Sequence, residues 1–237
     1  MPKTAFEHTI ARAKAVVEFQ KQVVAQGHPP RHLSDVLRGA VVLAAAGLDD
    51  AILDSVCSSI PALAKQGRLG DNVSKWIKEK PVETLQCFAE PNPHEALGTL
   101  CREHLGVQTF QKTEKIEGLL KGTIGCEPPW ELAAEKLTTK RKKWTADEVQ
   151  KSLNDYIDRR NRIAHDGDRL PSGRAKAIRR DWVQEGIDIV EAVGLATQDI
   201  VKTYVRSAPK PRSATTRRRT IKPGPTTGGT SKEAVTK

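Results

Sequence analysis

Residues 37–50 read Leu37-Arg38-Gly39-Ala40-Val41-Val42-Leu43-Ala44-Ala45-Ala46-Gly47-Leu48-Asp49-Asp50. Ser34 and Asp35, both good N-cap residues, stand just before this run. Apolar side chains then fall on almost every side of a 3.6-residue turn. A helix of that kind, apolar nearly all round and continuing to about Val56, must lie centrally among other helices rather than on a surface. Its longest apolar run, Gly39 to Leu48, is ten residues, whereas a bilayer span needs about 20, so the stretch is a core helix and no membrane span is expected.

Outward from this helix, apolar residues keep recurring at spacings of three and four, with no sustained alternation of β-branched and aromatic residues, which predicts an all-α chain. A first helix is expected from Thr4 to Val24 on Ile10, Ala13, Val17 and Val24, stopped by Gly27-His28-Pro29-Pro30. Prolines divide the middle third into shorter helices near 73–80, 82–88, 93–104, 107–120 and 130–137, read as an insertion capping the core. A capping box, Thr145-Ala146-Asp147-Glu148, opens a helix on Val149, Leu153, Tyr156 and Ile157 that reaches about His165. After the loop Asp166-Gly167-Asp168-Arg169-Leu170-Pro171-Ser172-Gly173, a long last helix on Ile178, Trp182, Ile189, Val193, Ile200 and Tyr204 runs to about Val205. No internal repeat is evident.

With 237 residues, 38% hydrophobic and 29% charged, the chain can bury a sizeable core, which excludes wholesale disorder. Its net charge of +10 favours a polyanionic partner, but the charge is unevenly placed. Residues 207–237 hold eight basic residues against one acid, Glu233, a net +7 that leaves +3 for residues 1–206. The chain therefore divides into a helical domain, 1–206, and a basic tail, 207–237, too poor in apolar residues to order itself. Arg217-Arg218-Arg219 in the tail would add phosphate contacts or simply remain solvated. Charges through the first 18 residues leave no room for a signal peptide, and cysteines 57, 87, 101 and 126 form no C-x-x-C pair, so reduced, buried thiols and a cytoplasmic location are expected. Cys101 and His104 stand three apart without a second pair, so neither a metal site nor a cofactor is expected.

The chemistry is concentrated in Arg159-Arg160-Asn161-Arg162-Ile163-Ala164-His165-Asp166-Gly167-Asp168. Arg160 and His165 form an R-x4-H hexamer with a polar residue directly after the arginine, and His165 alone among the six histidines has an arginine five positions before it. Asn161 and His165, four apart, share a helix face. Arg160 is turned about 140° from His165 on an ideal helix. Both reach one cleft only if the helix unwinds near Gly167 or each comes from a different protomer, and both effects together are expected.

This arrangement resembles the HEPN superfamily, in particular its RiboL-PSP-HEPN-like branch. There a helix reading roughly R-x-x-x-V-L-x-x-x-x-L-D precedes a late R-R-[ND]-x-I-x-H-[ED]-G-D segment. Arg38, Val42, Leu43, Leu48 and Asp49 match the first, and Arg159 through Asp168 the second, so the likeness spans about residues 5–205. It implies a HEPN-type helical bundle that forms a homodimer and cuts RNA without a metal, with Arg160, Asn161 and His165 catalytic. It also implies a bacterial toxin or anti-phage defence effector, restrained by an antitoxin or held in a defence complex.

Asp49 matches the family's acidic position and is expected to pair with Arg160 or Arg38, as a catalytic or a positioning group. Arg38 matches the pattern too, but a single charge in an apolar helix reads as an ion-paired core arginine. Arg141, Lys142, Lys143 and Trp144 couple basic charge to an aromatic ring, which suits RNA backbone and base contacts as well as a solvated linker. A different class of function fits the same residues: a non-catalytic HEPN-like module that binds RNA or a protein.

Overall fold

Thr4 starts the first helix by accepting the Glu7 N–H while Glu7 accepts the Thr4 N–H, so two orphan donors are satisfied reciprocally. The computed structural model describes residues 4–207. The expected disordered tail, beyond Ser207, lies outside the described residues. Helix α1 spans Ala5–Ala25 and buries Phe6, Ile10, Ala13 and Val17. A 3-10 turn, Pro30–Leu33, feeds directly into α2, Ser34–Lys65, so neither Ser34 nor Asp35 caps it. There follow α3 Asp71–Glu79, α4 Pro81–Ala89, α5 Pro93–Leu105, α6 Thr113–Leu119, a π-turn Leu120–Ile124, α7 Trp130–Leu137, α8 Ala146–Asp166 and α9 Arg180–Arg206.

The apolar α2 is the central element, as its composition requires, packing against α1, α5, α8 and α9. It runs nine residues beyond the expected end at Val56, because Ile60 and Leu63 continue its buried face. Pro61 is carried inside it, packed against Gly98 of α5, where an added Cβ would stand 3.1 Å from the proline ring. Helix α8 meets α2, α7 and α9, and its crossing with α9 is close: a Cβ on Gly186 would lie 2.1 Å from the Tyr156 ring.

The middle third is part of the core and not merely a cap over it. Ile116, Leu120, Ile124, Trp130 and Ala133 are buried in the same cluster as α2 and α9. The helix expected from Val107 begins only at Thr113, and Val107 is 86% exposed. The reason is a tertiary hydrogen bond: Asp49 on α2 accepts the Phe110 N–H at 2.6 Å, which holds this segment out of a helix. The last helix likewise starts at Arg180, so Ile178 precedes it, because residues 169–176 form a tight hairpin. Among the described residues no helix is long and apolar enough to cross a membrane.

Candidate functional site

The Thr145–Glu148 capping box fixes the start of α8, and Val149, Leu153, Tyr156 and Ile157 bury one face of it. That burial sets the rotation of the helix and hence the directions in which residues 159–165 project. The helix stays regular through Asp166 and ends at Gly167, which takes the left-handed conformation at φ 61°, followed by Asp168 at φ 55°. The N–H groups of both residues reach back to the Arg162 carbonyl. Left-handed backbone suits glycine and is tolerated by aspartate. Unwinding therefore begins after His165 and does not bring it round toward Arg160, contrary to expectation.

Asp168 is the best-fixed ionisable group in this region. Its side chain is 1% exposed, and its Oδ2 accepts Arg159 Nη2 at 2.9 Å and Arg38 Nε at 3.3 Å. Arg38, buried in α2, also donates to Asp35 at 2.9 Å and to the Lys176 carbonyl at 2.5 Å. Arg159 donates to the Ala177 carbonyl at 2.7 Å and lies over the Trp182 ring. Arg38 thus acts as the ion-paired core arginine, tying the turn after α8 to the central helix.

Arg160 is half-buried and donates through Nη1 to Asn161 Oδ1 at 3.2 Å. His165 is exposed on the last turn of α8. Asp49 makes no ion pair within 4.0 Å with Arg160 or Arg38, although the Arg160 charge lies close enough to act on it. Asp49 instead accepts from the Phe110 N–H and, at 3.3 Å, from Gln111 Nε2, so it serves as a cap for the 110–113 segment. Burial pushes its carboxyl above the ordinary value, while those two hydrogen bonds and the nearby Arg160 charge pull it back. One chain thus places Arg160 near Asp49 and about 140° around the regular α8 from exposed His165, with Asn161 bonded to Arg160 but only about 40° from His165.

The Lys140–Trp144 run is engaged within the chain. Lys142 pairs with Glu185 at 2.5 Å and covers the Trp144 ring at 3.7 Å, and Trp144 packs against the core. Its aromatic face is therefore taken, which leaves Lys140, Arg141 and Lys143 as the exposed cations of that stretch without an ion pair. Cys101 is buried in the core, and His104 lies against the Trp76 ring, 5.2 Å between centroids. Cavities of about 510 and 410 Å³ open beside Arg102 and Lys202 and beside Trp76 and His104. Neither is lined by Arg160, Asn161 or His165.

No protein-family model, curated protein or solved structure matches the chain. The chemistry at the α8 end therefore rests on the residues themselves. A guanidinium offers a planar fork to phosphate oxygens, and an exposed imidazole can give or take a proton near neutral pH. Sequence reasoning included Asp168 and Arg159 in the matched segment but gave neither a role of its own, although they organise this end of the helix. The signal was an aspartate directly after a glycine helix stop, a position that favours left-handed backbone.

Proposed function

We propose that the chain is a metal-independent endoribonuclease of the HEPN type that works as a homodimer. The observation that supports it is the placement of Arg160, Asn161 and exposed His165 on the last turns of a helix whose end is pinned by Asp168. Cutting RNA through its own 2′-OH needs a base on that hydroxyl, an acid on the departing 5′-oxygen and positive charge on the phosphorane between them. One imidazole cannot stand on both sides of an in-line displacement. A two-fold axis beside the α8 ends brings a second His165 opposite the first, as an isologous contact requires. Arg160 holds the phosphate and Asn161, bonded to it, fixes its orientation. The 2′-oxygen bonds to phosphorus as the 5′-oxygen leaves with a proton, giving 2′,3′-cyclic phosphate and 5′-hydroxyl ends.

The cellular setting that goes with this reading is a cytoplasmic toxin or anti-phage effector, in keeping with four free, buried thiols. The test is cleavage of RNA in EDTA by the full chain and by His165→Ala and Arg160→Ala, with end-group analysis. Loss of cleavage in both variants, at unchanged helix content and molecular mass, is expected. Wild-type rates in either variant remove the reading. RNA retained but never cut by the wild-type chain would favour the binding-module alternative.

A further inference from the structure

The segment after His165 carries charge that the site above leaves unused. From Arg162 to Arg180 there are six arginines and lysines against two acids, Asp166 and Asp168. Asp168 is neutralised internally by Arg38 and Arg159, and Arg179 pairs with Asp181. Arg162, Arg169, Arg174, Lys176 and Arg180 remain, all exposed, with Asp166 as the acid left among them. Elsewhere some surface lysines, such as Lys14, Lys65, Lys112 and Lys136, meet a carboxylate, and others, such as Lys78, Lys115 and Lys151, stand singly rather than clustered on one short segment. Among the described residues none of these five cations forms an ion pair within 4.0 Å, although the Arg180 charge helps Arg179 hold the Asp181 carboxyl below its ordinary value, and Arg169 donates to the Gly173 carbonyl.

A charge run on a free loop is ordinarily a solvated surface. This one is held rigid. Leu170 N–H donates to the Arg174 carbonyl at 2.8 Å and Lys176 N–H to the Asp168 carbonyl at 2.7 Å, with Arg169 and Ala175 in antiparallel register. Arg38 and Arg159 bind the carbonyls of Lys176 and Ala177, anchoring the second arm to α2 and α8. Arg174 and Lys176, two apart on an extended arm, project to the same side. Fixing the backbone in advance removes ordering cost on binding.

We propose that this hairpin is a binding track for the phosphate backbone of single-stranded RNA, with Arg174, Lys176 and Arg180 as its phosphate contacts, leading the strand to His165. That RNA is the polyanion rests on the nuclease reading; the track itself rests on the pinned, unpaired cations. It takes the place of the Lys140–Trp144 run, whose ring and Lys142 ammonium are already occupied.

The test is fluorescence anisotropy of a short labelled single-stranded RNA, titrated at several potassium chloride concentrations against the full chain carrying His165→Ala. Adding Arg174→Ala, Lys176→Ala and Arg180→Ala should weaken binding at least tenfold and flatten the slope of log K against log[salt] by about 2, from roughly 0.7 per lost phosphate contact. The charge-preserving Arg174→Lys, Lys176→Arg pair should keep the slope, and all substitutions are at exposed positions, so unchanged circular dichroism serves as the folding check. If the triple variant keeps the parent affinity and slope, or the parent chain binds no RNA, the track is overturned. Cleavage by the wild-type chain is scored separately. Binding lost in the triple variant without any wild-type cleavage supports the track and removes the nuclease, whereas cleavage with unchanged binding removes the track alone.

Discussion

Arg38 and Asp168 are 130 residues apart in sequence and meet in the interior, Nε to Oδ2 at 3.3 Å. Arg159 approaches the same oxygen from α8, so one buried carboxylate lies between two guanidinium groups. Removing one member of such a cluster leaves uncompensated charge in a poorly solvated place. Asp168→Ala should cost about 3 kcal/mol or more of unfolding free energy, the lower end of what breaking a buried pair costs. Asp168→Asn should lose less, because asparagine tolerates the left-handed backbone at φ 55°. Urea unfolding followed by circular dichroism measures both, and equal stability of wild type and Asp168→Ala would show the cluster to be idle.

Gly186 and Gly118 should respond in opposite directions. A Cβ on Gly186 meets the fully buried Tyr156 ring at 2.1 Å, so Gly186→Ala should destabilise by about 1–3 kcal/mol through overpacking. Gly118, in α6, has no neighbouring atom within 4 Å of the place a methyl group would take. Gly118→Ala should gain about 0.5–1 kcal/mol from helix propensity. The two melting temperatures, compared with wild type, decide the matter.

The thiols should be inert in the native chain. Burial pushes Cys57 and Cys126 up to about 11 and Cys101 up to about 12, and raises Cys87 as well. At pH 8 the thiolate fraction of a group near 11 is roughly one in a thousand, and only the thiolate reacts. Ellman's reagent should label the native chain slowly and all four cysteines at once in urea. Because the folded thiols hold their protons above the unfolded value, stability should fall as pH rises past about 9. Prompt labelling without denaturant would contradict the burial.

Asp49 gives the corresponding effect at acid pH. Its folded carboxyl lies above its ordinary value, chiefly through burial, so the folded chain binds that proton more tightly than the unfolded chain does. The contribution of this group to stability therefore declines as pH rises through about 4. Asp49→Asn, which still accepts the Phe110 N–H, should gain on wild type across that interval. Urea midpoints of the two chains at pH 3.5 and pH 6 measure the shift; parallel pH profiles would show that the carboxyl does not titrate abnormally.

Elements declared by local signals are readable from the residues alone. The capping box places the start of α8 at Thr145, prolines isolate α7 over Trp130–Leu137, and the apolar α2 lies centrally. What could not be read depends on partners far away in sequence. Asp49 straightens the Phe110 segment, Gly98 accommodates Pro61, and Arg38 and Arg159 fold the 169–176 hairpin against the helices. The same division runs through the candidate site. The positions of Arg160, Asn161 and His165 at a helix end follow from spacing, whereas the true partners of Asp49 and Arg38 follow only from packing.

Arg38 and Asp49 lie eleven residues apart on one helix, a separation that returns nearly to the same azimuth, about 20° off after three turns. One holds the hairpin beyond His165 and the other the segment before α6, so α2 sets the angular phase between two otherwise unconnected stretches of chain. A single residue inserted or deleted between them would swing one anchor by about 100° and release whichever stretch it held.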